Sequence, residues 1–211
     1  MINERMTFRL KFGKEEEAKA TWTRMNELFP ETNRPRDVRY RIYTNLTGRV
    51  NCITQDFMIK SLTDHNPMMY YWKINVKVQE EYAKFVTLCD TSVREMWNVE
   101  HEVGSSKNFK GMIMQQNIFR LNFGKARDSI AIWKEILDES KTADGPDLRM
   151  MTDIIGESYS LTVDAYFPNM TDLKPRSEFW RANDKMKSLY EKFTPLCYMS
   201  ERNYFLVDFD L

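Results

Sequence analysis

The segment Phe8-Arg-Leu-Lys-Phe-Gly-Lys14 returns almost unchanged as Phe119-Arg-Leu-Asn-Phe-Gly-Lys125. A second echo, Phe85-Val-Thr-Leu-Cys89 against Phe193-Thr-Pro-Leu-Cys197, comes later in each half. Between the two echoes the first copy is three residues longer, and the extra length is expected in a loop near Pro30–Arg36. Identical residues continue through Asp56/Asp164, Trp72/Trp180, Asn75/Asn183 and Arg94/Arg202, so that about a third of aligned positions match. A chain that repeats itself once is constrained to two similar units, read as residues 1–103 and 115–211 joined by a polar, Gly-bounded linker at 104–114.

Within each copy the hydrophobic period switches between two and 3.6. Thr7–Phe12 alternates as a strand, and Lys14–Phe29 places Ala18, Trp22 and Met25 on one helical stripe. Arg39–Thr44 and Val50–Ile59 read as strands separated at Gly48. Pro67 sits in the first turn of a helix running to about Leu88, and Thr91–Glu100 reads as the last strand. The order β-α-β-β-α-β is the ferredoxin-like unit, so the fold class is α+β with two such units in tandem. Each sheet has helices on one face only, and its bare face needs a partner, which the other copy supplies.

Strand alternation sorts residues onto the two faces. The set assigned to the helix side is apolar: Phe8, Leu10, Phe12, Tyr40, Ile42, Ile53, Phe57, Ile59, Trp97 and Val99, matched in the copy by residues such as Phe119, Leu121, Phe123, Leu161, Phe205 and Val207. The set assigned to the inter-sheet face is polar in both copies: Arg9, Arg41, Asp56 and Arg94, recurring as Arg120, Arg149, Asp164 and Arg202. Two readings fit it. One is a structural Arg–Asp network, since the planar guanidinium can satisfy a carboxylate with two hydrogen bonds. The other is an anion-binding cleft, since arginine outnumbers aspartate. A register slip of one residue would move such groups to the other face.

The tandem units and their facing sheets resemble the dimeric α+β barrel superfamily, which includes antibiotic-biosynthesis-type monooxygenases, haem-degrading enzymes, chlorite dismutase-like proteins and NIPSNAP-like proteins. The resemblance implies a pseudo-dimeric barrel and a ligand pocket between helices and sheet within one unit. Residues that fail to repeat are where a function particular to one unit would sit. His65 faces Leu173 in the alignment, and Met68-Met-Tyr70 faces Arg176-Ser-Glu178. By resemblance, His65, Met68, Met69, Tyr70 and Tyr71 are the candidate pocket residues, with His65 or Tyr70 assisting deprotonation of an aromatic or apolar substrate in a cofactor-independent monooxygenase-like reaction. The alternative is a non-enzymatic structural or protein-interaction module, NIPSNAP-like in character, in which the same residues form a packing surface. A chlorite dismutase-like site would put a proximal histidine in the second copy, which contains none.

Other chemistries are excluded by what the chain lacks. Two histidines without HExxH spacing make no zinc-protease motif, and no Gly-rich phosphate loop or GxSxG elbow occurs. No metal or cofactor is expected. Lys+Arg equals Asp+Glu at 31 each, which gives no field to attract nucleic acid or an anionic membrane. No apolar run approaches the ~20 residues that span a bilayer. The start Met1-Ile-Asn-Glu-Arg5 lacks a signal-peptide core, and three cysteines without CxxC spacing suggest reduced thiols, so a cytoplasmic location is expected. Cys89 and Cys197 read as small buried hydrophobes rather than nucleophiles. Self-association beyond the intramolecular pseudo-dimer is left open.

Overall fold

The computed structural model describes residues 1–28, 39–48, 50–65, 73–104, 108–141 and 146–210. The first unit runs β1 (Ile2–Leu10), α1 (Glu15–Glu27), β2 (Arg39–Asn45), β3 (Cys52–Ile59), α2 (Val76–Thr87) and β4 (Cys89–Val103). The second runs β5 (Ile113–Leu121), α3 (Ala126–Glu139), β6 (Asp147–Ile155), β7 (Ser160–Phe167), α4 (Leu173–Ala182), α5 (Asp184–Phe193) and β8 (Cys197–Asp210). These are two tandem ferredoxin-like units. Their eight strands close into one barrel in the order β1-β3-β2-β8-β5-β7-β6-β4. The expected loop insertion near Pro30–Arg36 and the helix start at Pro67 lie outside the described residues. Among the described residues no helix is long and apolar enough to cross a membrane.

The closure is made by the long last strand of each unit. β4 pairs with β1 of its own unit through Cys89–Asn98 and with β6 of the other through Met96–Val103. β8 repeats the arrangement, pairing with β5 and then with β2. β4 outruns its expected end at Glu100 because its C-terminal half forms one of these seams, and the two seams leave no strand edge open.

Each unit builds the same helix-side core. Phe8, Trp22 and Phe85 meet with ring centroids 5.3, 4.9 and 4.6 Å apart. Phe119, Trp133 and Phe193 do so at 5.2, 4.9 and 5.4 Å. The repeated asparagines cap helices: Asn75 Oδ1 accepts from Val78 N at 3.2 Å and Asn183 Oδ1 from Met186 N at 3.0 Å. Three glutamates open α1, where their charge complements the helix dipole.

Three sequence assignments change. Phe12 and Phe123 are 93% and 86% exposed, because the strands end at Leu10 and Leu121 and the chain turns at Gly13 and Gly124 with φ of 74° and 77°. Trp97, Phe205 and Val207 face the barrel interior, not the helices, as does Val99 by alternation. The register pairs Trp97 with Asn3, Phe205 with Met114 and Val207 with Tyr43, all on the interior side. Adjacent apolar residues such as Met96 and Trp97 leave the phase of a strand ambiguous in sequence. Cys89 and Cys197 are half-buried, not fully so.

Gly104 ends β4 with φ of 125°, and a Cβ there would lie 2.8 Å from the Asp147 Cα. Gly104→Ala is expected to lose about 1–3 kcal/mol of stability, read from the urea midpoint, because the strained backbone meets a backbone atom that cannot swing away.

Candidate functional site

The eight residues expected on the inter-sheet face divide in two. Arg41, Asp56, Arg149 and Asp164 come together in the closed barrel and are buried. Asp56 takes two hydrogen bonds from Arg5, at 2.6 and 2.8 Å, and one each from Arg149 at 2.6 Å and Tyr43 at 3.0 Å. Asp164 accepts from Arg5 at 2.9 Å and Arg149 at 2.7 Å. Arg41 pairs with Asp210 at 2.6 Å and donates to Tyr166 at 3.1 Å. Each carboxylate of the Asp56–Asp164 pair therefore bonds arginines from both units. Burial works to raise the Asp56 carboxyl, but Arg5 and Arg149 outweigh it and hold the group well below the usual carboxylate range.

The other four do not join this cluster. Arg9 is exposed near the end of β1, where it pairs in register with Cys52 and Thr91. Arg120 lies at the rim, bonding Ser160 Oγ at 2.7 Å and Glu157 at 2.9 Å. Arg94 and Arg202 are on the helix side, since Arg94 pairs in register with Met6 and Arg202 with Asn117. The same one-residue phase error moved Trp97 and Phe205 the other way. Arg5 was missed because β1 begins at Ile2 rather than Thr7, and because its counterpart is Gln116, which hides it from a comparison of copies.

A cavity of about 260 Å³ opens between the helices and the sheet of the first unit. Trp22, Phe57 and Met6 supply apolar walls, Glu4, Lys73 and Arg94 bring charge to it, and His65 adds an imidazole. Ser61 N and Oγ donate to Asp64 Oδ2 at 2.9 and 3.0 Å, fixing the short turn that ends at His65. His65 Nε2 lies 2.7 Å from Glu4 Oε2, and Arg94 Nε lies 2.9 Å from Glu4 Oε1. Glu4 is only 4% exposed, and these two side chains face its carboxylate. Trp22 Nε1 donates to Tyr40 Oη behind the wall. Met68, Met69, Tyr70 and Tyr71 lie outside the described residues. His101 is elsewhere, with Nε2 2.9 Å from Asp138 Oδ1. Glu4 was missed in sequence for the same reason as Arg5: it precedes the expected strand start.

The second unit holds a cavity in the equivalent place. It is larger, about 890 Å³. Ala165 replaces Phe57 in its wall, Leu173 replaces His65, and Gln115 replaces Glu4. The carboxylate–imidazole pair is therefore confined to the first unit.

Neither half-buried cysteine is set up to attack. Burial pushes the Cys89 thiol up to about 11 and raises Cys197, so both stay protonated at neutral pH.

The closed barrel with helices packed outside and a cavity beneath the helices of each unit defines a protein of the dimeric α+β barrel fold. Solved structures share it over the whole chain. A candidate monooxygenase of Fusobacterium nucleatum superposes with a TM-score of 0.75 at 11% identity, covering 99% of this chain and 93% of that one. A candidate monooxygenase of Lactobacillus acidophilus gives 0.73 at 9% identity, covering 99% and 94%. An anthrone oxidase-like protein gives 0.68 at 7% identity, covering 100% and 92%. At these identities the likeness is one of fold. No protein-family model matches the sequence, and no curated protein matches it either.

Proposed function

We propose that the chain is a small-molecule enzyme of the cofactor-independent monooxygenase type, acting on a compact aromatic substrate in the first-unit cavity. The observation that carries this reading is the Glu4–His65 pair at the mouth of an apolar pocket. The cavity lies just below the ~300–1,000 Å³ of drug-sized pockets, which suits a rigid, mostly apolar ligand. Cavities in both units favour ligand binding over a filled interaction module.

The chemistry follows from the pair. Placing the ring proton on Nε2, 2.7 Å from Glu4 Oε2, leaves the lone pair of His65 on Nδ1, and the nearby carboxylate favours the imidazolium that forms when Nδ1 takes a proton. Arg94 holds Glu4 in place from the other side, with Nε 2.9 Å from Oε1. The substrate must be one whose conjugate base gives up electrons to oxygen. An anthrone fits, since its methylene is acidified by the carbonyl across the ring. Loss of the proton to His65 gives an electron-rich anion, oxygen adds at that carbon, and the second C–H is lost as water leaves. One anthrone and one O2 thus give one anthraquinone and one water.

Oxygen uptake with anthrone tests the reading. The expected result is saturable uptake matched mole for mole by anthraquinone. Uptake no faster than in buffer, together with no detectable binding of anthrone or smaller phenols, would overturn it.

A further inference from the structure

The second-unit cavity differs from the first in charge as well as size. In the first unit Arg94 is neutralised by Glu4. In the second, Gln115 stands in place of Glu4 and Asn117 in place of Met6, so Arg202 Nε donates instead to the neutral Asn117 Oδ1, at 2.7 Å. Arg176, on α4, also lines this cavity, and its Nη2 is buried with no hydrogen-bond partner. The guanidinium rests against Phe179 and Trp180, 5.0 and 5.9 Å from the ring centroids, contacts that stabilise a cation but accept none of its in-plane hydrogens. Burial alone pulls the group down to about 10, with no carboxylate opposing it, and it is still charged at neutral pH. Of the other charged side chains on the lining, Lys174, Arg181 and Lys187 add to the positive field and Glu178 and Glu191 subtract from it. Lys187 is answered by Asp184 at 3.0 Å. The remaining wall is apolar, formed by residues such as Phe119, Trp133, Ala165 and Phe167.

We propose that the second-unit cavity binds an organic carboxylate with an apolar body, its head group on Arg176 in the field of Arg202 and its body against the wall formed by Phe119 and Trp133. A buried guanidinium hydrogen without an acceptor is unfavourable, and a carboxylate in the plane of the fork supplies the acceptors. The apolar wall selects against small inorganic anions, which would leave most of the space unfilled. Replacing Phe57 by Ala165 gives the room that the first unit lacks. This site is separate from the His65 cavity and does not depend on turnover there.

Two matched pairs of probes test it by calorimetry: decanoate against decan-1-ol and 2-naphthoate against 2-naphthalenemethanol. At least one acid should bind about tenfold or more tightly than its alcohol, the difference expected when a charged hydrogen bond is gained. Arg176→Gln should bring the acid to within about twofold of the alcohol, whereas His65→Ala should leave the preference intact. Arg202→Gln should reduce the preference and provides a second variant if Arg176→Gln does not fold. The pair that binds tells an extended chain from a fused ring. Equal binding of acid and alcohol to the unaltered protein, no binding of any probe, or a preference that survives Arg176→Gln would each overturn the proposal.

Discussion

Asp56→Ala is expected to lower the free energy of unfolding by about 3–5 kcal/mol, the range for removing one partner from a buried ion pair. The loss is large because the substitution strands two guanidinium groups. Arg5 gives Asp56 two hydrogen bonds and Arg149 gives it one, and both arginines are 3% exposed or less. Asp164 remains to both, but it already carries its own bonds from them and leaves two positive charges facing one negative. The effect should depend on pH with a defined sign. The folded-state group is held below its unfolded value of about 3.9, so its stabilisation is complete above that pH and is lost as pH falls through the folded value. The gap between Asp56→Ala and the unaltered protein should therefore narrow only below about pH 4. Replacing the cluster as a whole by apolar residues of similar volume should recover much of the loss. Urea unfolding across pH checks all three statements. A loss under about 1 kcal/mol would mean that water reaches the cluster and shares its charges.

His65→Ala is the second large effect, and it falls on rate. If His65 accepts the substrate proton, its removal should reduce kcat for anthrone oxidation by about 10²–10⁴-fold. The Kd for the substrate should change by no more than about threefold, because the apolar walls at Trp22, Met6 and Phe57 remain. Glu4→Gln should lower kcat less than His65→Ala, since it removes the carboxylate that stabilises the imidazolium and leaves the base in place. A His65→Ala protein that binds weakly but turns over normally would reassign the residue from proton transfer to packing.

How far the chain could be read from its sequence depended on which residues alternate cleanly. The pattern Phe8, Leu10 in β1 and Ile53, Phe57, Ile59 in β3 has one apolar face, and it yielded both the element and its orientation. The last strands have apolar residues on both faces, because their interior side meets the barrel core and their other side meets the helices. Met96 and Trp97 are both buried, and no count of alternation could tell which pointed inward. With Trp97 and Phe205 pointing inward, Arg94 and Arg202 fall on the helix side, where Arg94 meets Glu4. The start of β1 was lost for a different reason. Asn3, Glu4 and Arg5 are polar and resemble a solvated terminus, yet all three are buried because the strand lies between β3 and β4. Comparing the copies singled out His65, since it has no counterpart. The same comparison could not reveal the second cavity, whose distinguishing substitutions, Ala165 and Gln115, are unremarkable residues until the fold sets them in one wall.

The most direct test is an oxygen-free titration of the amide spectrum of the isotope-labelled protein with anthrone, read residue by residue. The expected result is a saturable set of shifts centred on Glu4, Met6, Gln55, His65 and Arg94, with the barrel interior around Asp56 and Asp164 unmoved. Shifts confined to the second unit, or none at saturating anthrone, would contradict a catalytic site built on Glu4 and His65.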